Sequence, residues 1–214
     1  LARSVVQRTR PLCASELNCD WLGKTKRSRS HRTMWQDACK LGEGAINTAT
    51  WVKRARELCS ADDRAGVITR TYGGHYFSPV QAMTFDAMLS SLPDAPGKRD
   101  VCLAATIIAA SQCAASPGHT AQPFQPTRSA SRYLREAWKR DVLEYALRAL
   151  QKLCPLHARV RGAARIGDAI AIASSLKASD LVFVDPPYSD VHYSRFYHVL
   201  ETLARGRCGN ASGR

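Results

Sequence analysis

The chain has 214 residues, 45% of them hydrophobic, which is ample apolar material for a core in one large domain or two small ones. No apolar run approaches a membrane span, and Leu1 to Arg10 carries three arginines and no apolar h-region; these features predict a soluble, unexported, cytoplasmic protein. Thirty-one Lys and Arg against 18 Asp and Glu give a formal charge of +13, which points to a polyanionic partner, nucleic acid first. A generally basic protein from an arginine- and alanine-rich coding bias is the alternative.

The basic run Lys24-Thr25-Lys26-Arg27-Ser28-Arg29-Ser30-His31-Arg32 has no apolar periodicity and suits phosphate contacts from a mobile segment, so Lys24, Lys26, Arg27, Arg29 and Arg32 are candidate DNA ligands. A merely solvated loop fits the same residues. Residues 33 to 60 carry weak helical signals interrupted at Gly42-Glu43-Gly44. That glycine pair does not follow a strand and so lacks the setting of a dinucleotide loop. Thr71 to Phe77 reads as an aromatic, glycine-hinged loop. Ser78, Pro79 and Gln81 then give an N-cap, a proline at the first helical position and a capping-box glutamine. They open a helix carrying Ala82, Phe85, Met88 and Leu89 that Pro93 and Pro96 close.

Arg99 to Ala115 reads as a mostly apolar helix central to a helical layer, with Cys102 and Cys113 as small buried hydrophobes. The eight cysteines are scattered with no C-x-x-C pair, which predicts a reducing compartment and no zinc site. Ser116 to Thr127, with three prolines, is irregular, and residues 129 to 154 form one or two amphipathic helices with a basic face. After Pro155 the pattern changes. Arg159 to Ile166 reads as a strand, Gly167-Asp168 as a turn, Ala169 to Leu176 as a helix, and Leu181 to Val184 as a strand buried on both faces. The expected fold class is therefore α/β, with part of a Rossmann-like sheet at the C-terminal end after a mainly helical segment. The expected divisions are residues 1–155, 156–206 and a tail of 207–214.

Asp185 follows that last strand, where open α/β sheets place a ligand crevice, and Pro186 and Pro187 stop the ladder. Asp185-Pro186-Pro187-Tyr188 resembles motif IV of AdoMet-dependent amino methyltransferases. Three longer stretches, Tyr72 to Ala82, Gly118 to Phe124 and Tyr193 to Glu201, resemble the D12 class of DNA adenine N6-methyltransferases, over roughly residues 70 to 206. The chemistry needs these residue types. An exocyclic amine is a poor nucleophile, and two acceptors, the Asp185 carboxylate and the Pro186 carbonyl, hold its lone pair toward a methyl donor while Tyr188 stacks on a flipped base.

The resemblance further implies S-adenosyl-L-methionine (AdoMet) as cofactor and double-stranded DNA as substrate. It also implies a restriction-modification setting with a cognate endonuclease as partner. By position, Asp168 matches the acid that contacts the cofactor, although a helix N-cap accounts for it equally well. Arg195 is a candidate phosphate ligand, and His119 and Gln122 match family positions or anchor their loop. Tyr193, Phe196, Tyr197 and Leu200 fit one helix face, as core or beside the base. An rRNA guanine N2-methyltransferase and a non-catalytic DNA-binding fragment are the rival readings. No F-x-G-x-G turn after a strand is found. With the start at Leu1 and the small polar tail, this predicts a piece of a longer enzyme lacking its cofactor half.

Overall fold

Ser78, Pro79 and Gln81 start the helix around which the other helices pack. In this computed structural model, which describes residues 3–4, 12–30, 33–43, 47–61, 65–156, 162–164, 166–186 and 194–208, the capping box forms as its spacing predicts. The Gln81 N–H donates to Ser78 Oγ at 3.3 Å and the Ser78 N–H to Gln81 Oε1 at 2.9 Å. Pro79 takes the first turn, where a missing N–H leaves no bond unmade.

In chain order, α1 (Ala14–Leu17) runs through a π-helical turn (Asn18–Leu22) into α2 (Gly23–Ser30). Then come α3 (Thr33–Glu43), α4 (Thr48–Ser60), α5 (Val67–Tyr72), α6 (Pro79–Ser90) and α7 (Pro96–Cys113). They are followed by α8 (Ser131–Lys139), α9 (Val142–Leu153), α10 (Ala169–Ala173) and α11 (Ser194–Arg205). The innermost helix is α6. Every residue from Gln81 to Met88 is buried, and α2, α3, α4, α5, α7 and α9 all contact it. Trp21, in the π turn, donates its indole N–H to the Met88 carbonyl at 3.1 Å and fixes the N-terminal helices to the end of α6. Pro96, expected with Pro93 to close α6, also opens α7.

α7 packs most extensively on α9. Their contact is built from Ala105, Ala109 and Ala110 on one side and Ala146 and Ala149 on the other, all buried, and such small side chains let two helix backbones approach closely. Cys102 and Cys113 lie in the same face, as expected. α11, beyond the expected boundary at 155, returns to pack against α5 and α7 through Val199, Thr202 and Leu203.

The α/β expectation is overturned. The described residues are 65% helical and contain no sheet. Besides an isolated bridge between Gly73 and Phe77, their extended pairing amounts to two antiparallel residue pairs, Arg3 with Ala164 and Ser4 with Ala163. Leu181 to Val184 forms no strand, because a strand exists only through hydrogen-bonded neighbours and none flanks it among the described residues. Its side chains are in solvent, Phe183 at 90% and Val184 at 74% exposure. The helix expected over Ala169 to Leu176 forms only as Ala169–Ala173. The basic run expected as a mobile segment is instead the helix α2 as far as Ser30, with Thr25 buried and donating its hydroxyl to the Trp21 carbonyl at 3.1 Å. No helix among the described residues is long and apolar enough to cross a membrane.

Burial pushes the thiols of Cys59, Cys102 and Cys113 up to about 12 from an ordinary value near 9. A raised thiol pKa means that folding favours the protonated form. Its stabilising contribution is complete below pH 9 and is lost as pH rises from 9 toward 12, where only the unfolded chain ionises freely. The melting temperature followed by circular dichroism is therefore expected to be flat from pH 7 to 8 and to fall steadily above pH 9. A melting temperature unchanged up to pH 11 would contradict the burial of these thiols.

Candidate functional site

Asp86 lies on α6 with its carboxylate aimed at the first turn of α5. It accepts from the Ile68 N–H at 3.0 Å, the Thr69 N–H at 2.9 Å and the Thr69 hydroxyl at 2.6 Å. A buried carboxylate is tolerable only with such partners. Gly66, which precedes α5, lies so close that a β-carbon there would overlap the carboxyl group. With its start fixed, α5 ends at Tyr72. The Tyr72 carbonyl gathers the N–H groups of His75, Tyr76 and Phe77 at 3.1, 3.1 and 3.3 Å, folding the chain back on itself.

The two glycines of that turn have separate reasons. A β-carbon at Gly73 would come to 2.5 Å from Cys59 Sγ on α4. Gly74 adopts φ +75°, and a β-carbon there would meet the Arg56 backbone nitrogen at 2.7 Å. Arg56 closes the arrangement by donating its Nε–H to the Gly74 carbonyl at 3.1 Å. Burial, and then the nearby Arg56 charge, lower the pKa of His75, which is therefore neutral at pH 7.

This turn presents Tyr72 and Tyr76 to two other parts of the chain. The Tyr76 carbonyl accepts from the Ala115 N–H at 2.8 Å, and the Tyr76 hydroxyl donates to the Thr120 carbonyl at 2.8 Å. Thr120 passes the connection to α11, its N–H reaching the Phe196 carbonyl at 3.3 Å and its hydroxyl donating to the same oxygen. The Tyr72 hydroxyl is 2.9 Å from Thr202 Oγ1, which itself donates to the His198 carbonyl at 2.9 Å. The His198 ring packs against both tyrosines, its centroid 5.7 Å from Tyr72 and 5.6 Å from Tyr76, and His119 stands edge-on to Phe196 at 5.2 Å. Burial raises the Tyr72 phenol and pushes Tyr76 up to about 12, so both remain protonated donors at neutral pH.

The three stretches that carry the family resemblance, far apart in the chain, thus meet in one aromatic, hydrogen-bonded cluster. Sequence reasoning missed Asp86, Thr120, Thr202 and Arg56, because nothing in a lone polar residue announces a partner tens of positions away. The helix face expected from Tyr193, Phe196, Tyr197 and Leu200 is corrected. Val199, Thr202 and Leu203 are buried, Phe196 and Leu200 are partly buried, Tyr197 is 51% exposed, and Tyr193 lies outside the described residues.

Asp185 and Pro186 are exposed, following the solvent-facing Leu181 to Val184, and Pro187 and Tyr188 lie outside the described residues. Asp168 is the N-cap of α10 and accepts from the Ala171 N–H at 2.9 Å. Lys24, Lys26 and Arg27 are exposed on α2. The backbone of Arg29 is in the same helix, and Arg32 lies outside the described residues. Arg195 is exposed near the start of α11, and its carbonyl receives the Nδ1–H of His198 at 3.2 Å. Gln122 is exposed in the loop. For AdoMet the described residues do not fit. Gly42 lies inside α3 rather than in a turn, and the Asp168 carboxylate is engaged by the α10 backbone. No family model, curated protein or solved structure matches this chain.

Two expectations follow from this geometry. Gly74→Ala should destabilise the fold well beyond the roughly 1–2 kcal/mol of a left-handed alanine, because the new carbon also meets the α4 backbone. Gly118→Ala, at φ +86° with nothing within 4 Å, should cost only that conformational amount. Equal losses in urea denaturation would refute the packing of the turn on α4. Isothermal titration of the 214-residue chain with AdoMet should give no heat of binding, and a micromolar site would contradict the poor fit of Gly42 and Asp168 to that cofactor.

Proposed function

We propose that this chain carries the target-base residues of a site-specific DNA adenine N6-methyltransferase. The observation that supports the reading best is the cluster itself. Tyr72, Tyr76, Thr120, Phe196 and His198 come from the three stretches resembling that class, and they contact one another. Chance resemblance gives no reason for such segments to meet.

In this reading the chain's own residues would prepare the nucleophile for a methyl donor. The Asp185 carboxylate accepts one N6 hydrogen of adenine and the Pro186 carbonyl accepts the other. Two acceptors in fixed positions turn the nitrogen lone pair out of the ring and stabilise the positive charge that grows on it. Tyr188 stacks on the extruded base and replaces part of the stacking lost from the duplex. Asp185 and Pro186 are both exposed to solvent. Lys24, Lys26, Arg27, Arg29, Arg32 and Arg195 are assigned to phosphates, where they add affinity without reading sequence.

A DNA-binding role without turnover is the second reading, favoured by the charge of +13 and by the poor fit of the described residues to AdoMet. One substitution separates the two. In a protein in which these residues support methyl transfer, Asp185→Ala should lower that transfer to mixed-sequence duplex DNA by at least about 10²–10³-fold while duplex affinity changes only a few fold. The measurement is tritium incorporated from labelled AdoMet, beside fluorescence anisotropy for affinity. Near wild-type turnover in Asp185→Ala would remove the catalytic reading.

A further inference from the structure

We infer that the outer face of α8 is a nucleic-acid backbone-binding surface, an inference that rests on the DNA reading above and deepens it. Arg128, Arg132, Arg135 and Lys139 follow one another at spacings of four, three and four residues. That is the repeat of one helix face, the first arginine lying in the turn just before α8. At 1.5 Å per residue the four cations extend over roughly 16 Å, a length along which one DNA strand carries about five phosphates. Arg128, Arg132 and Lys139 are exposed and Arg135 is half-buried.

Two further features separate this face from an ordinary solvated one. The first is the placement of the acid. Glu136 is the one acid in the α8 sequence, and Arg140, the residue after the helix, takes it in an ion pair at 3.1 Å. The second is that aromatic rings hold the guanidinium planes. Arg132 lies over the Tyr133 ring at 4.4 Å and also donates to its hydroxyl, while Tyr133 stacks on Phe124 with centroids 5.8 Å apart. Arg135 lies over Trp51 at 5.5 Å, and Trp51 is itself held edge-on by Trp138 at 4.9 Å. An arginine stacked on a ring loses less side-chain entropy when it meets a phosphate and keeps N–H donors at its edge for bidentate contact. Tyr133, at 44% exposure, adds a face on which an unpaired base can stack. The sequence pattern had shown a basic helix face here. The structure adds which residues share it and what holds them.

The test is fluorescence anisotropy of a labelled mixed-sequence duplex with the 214-residue chain across a potassium chloride series. Each phosphate contact contributes about 0.9 to the slope of log affinity against log salt, so R128Q/R132Q/R135Q/K139Q should lower that slope by about 3.6. R128Q/R132Q/K139Q leaves Arg135 on Trp51 and guards against a packing defect. It should lower the slope by about 2.7 with an unchanged melting temperature. K24Q/K26Q on α2, as a control of the same chemistry, should lower it by no more than about 1.8. Duplex binding with an unchanged slope in the triple variant would overturn the α8 assignment and leave the methyltransferase reading standing. Absence of duplex binding by the parent at any salt would overturn both. Binding to phosphatidylserine vesicles that R128Q/R132Q/K139Q abolishes, without binding to DNA, would reassign the face to anionic membranes and overturn the inference.

Discussion

The buried carboxylate of Asp86 is the constraint on which the described architecture turns. Removing a carboxylate from water costs several kcal/mol unless its oxygens are fully engaged. Here three donors from the start of α5 engage them, all within 3.0 Å, and the positive end of that helix adds to the attraction. The geometry admits only glycine at position 66. Once α5 is docked to α6 in this way, the position of Tyr72 is determined, and with it the turn that carries Tyr76. The contacts to Thr120, Phe196, His198 and Thr202 are downstream of one charge–helix interaction inside the core.

The residues assigned to the proposed chemistry lie in surroundings of different kinds. The aromatic cluster rests on α5, α6, α7 and α11, elements tied together by buried side chains and by hydrogen bonds among residues 72, 76, 120, 196 and 202. Precise placement of a ligand calls for such supports. Asp185 and Pro186, in contrast, end a stretch whose apolar side chains face solvent. Four consecutive exposed apolar residues are a feature that sequence-level reasoning assigns to an interior. In this segment local pattern and surroundings disagree, and it is also the segment that carries the acid essential to the proposed chemistry. Such disagreement concentrates at functional positions more than elsewhere.

How far the sequence could be read depended on the range of the interaction responsible. The Ser78–Gln81 capping box, Pro79 in the first turn and the irregular segment after Ser116 are all set within a few residues, and each was legible, whereas over residues 129 to 154 the pattern allows one or two helices and there are two. Cys102 and Cys113 were legible too, because a small sulfur side chain in an alanine-rich helix has one obvious environment. The sheet was inferred from two apolar runs, yet a strand is defined by its neighbours, and sequence alone does not say whether those are present. The basic run at Lys24 was read as a loop because charge hides periodicity. What makes α2 a packed helix is the contact with α6 and the burial of Thr25, a residue with no apolar signature of its own. On α11 the pattern gave a helix but aimed it wrongly, since Val199 and Thr202 outweigh Tyr197 only once α5 and α7 are in place. Gln81 shows the same limit within a success. Its box with Ser78 was foreseen, whereas its Nε2 donation to the Ala137 and Arg140 carbonyls at 2.8 and 3.0 Å, which ties α6 to the end of α8, was not.

The distribution of acids explains why a surplus of cations can matter more than its count. Asp86 is consumed in the core, and Asp141 and Asp168 cap α9 and α10. In each case backbone N–H groups meet the negative charge. Glu16, Glu136, Glu144 and Glu201 each pair with a cation, and three of those pairs, the exception being Glu16 with Lys98, are spaced i,i+4 along or just past one helix. Such exposed pairs add little stability, but they confine the acids to the neighbourhood of their own cations. Asp86 thus faces inward and these four glutamates are locally matched. The residual positive charge is left on outward faces, within a Debye length of about 8 Å of any polyanion that approaches under physiological salt. With Asp86 withdrawn into the core, the surface carries one negative charge fewer than the composition alone implies.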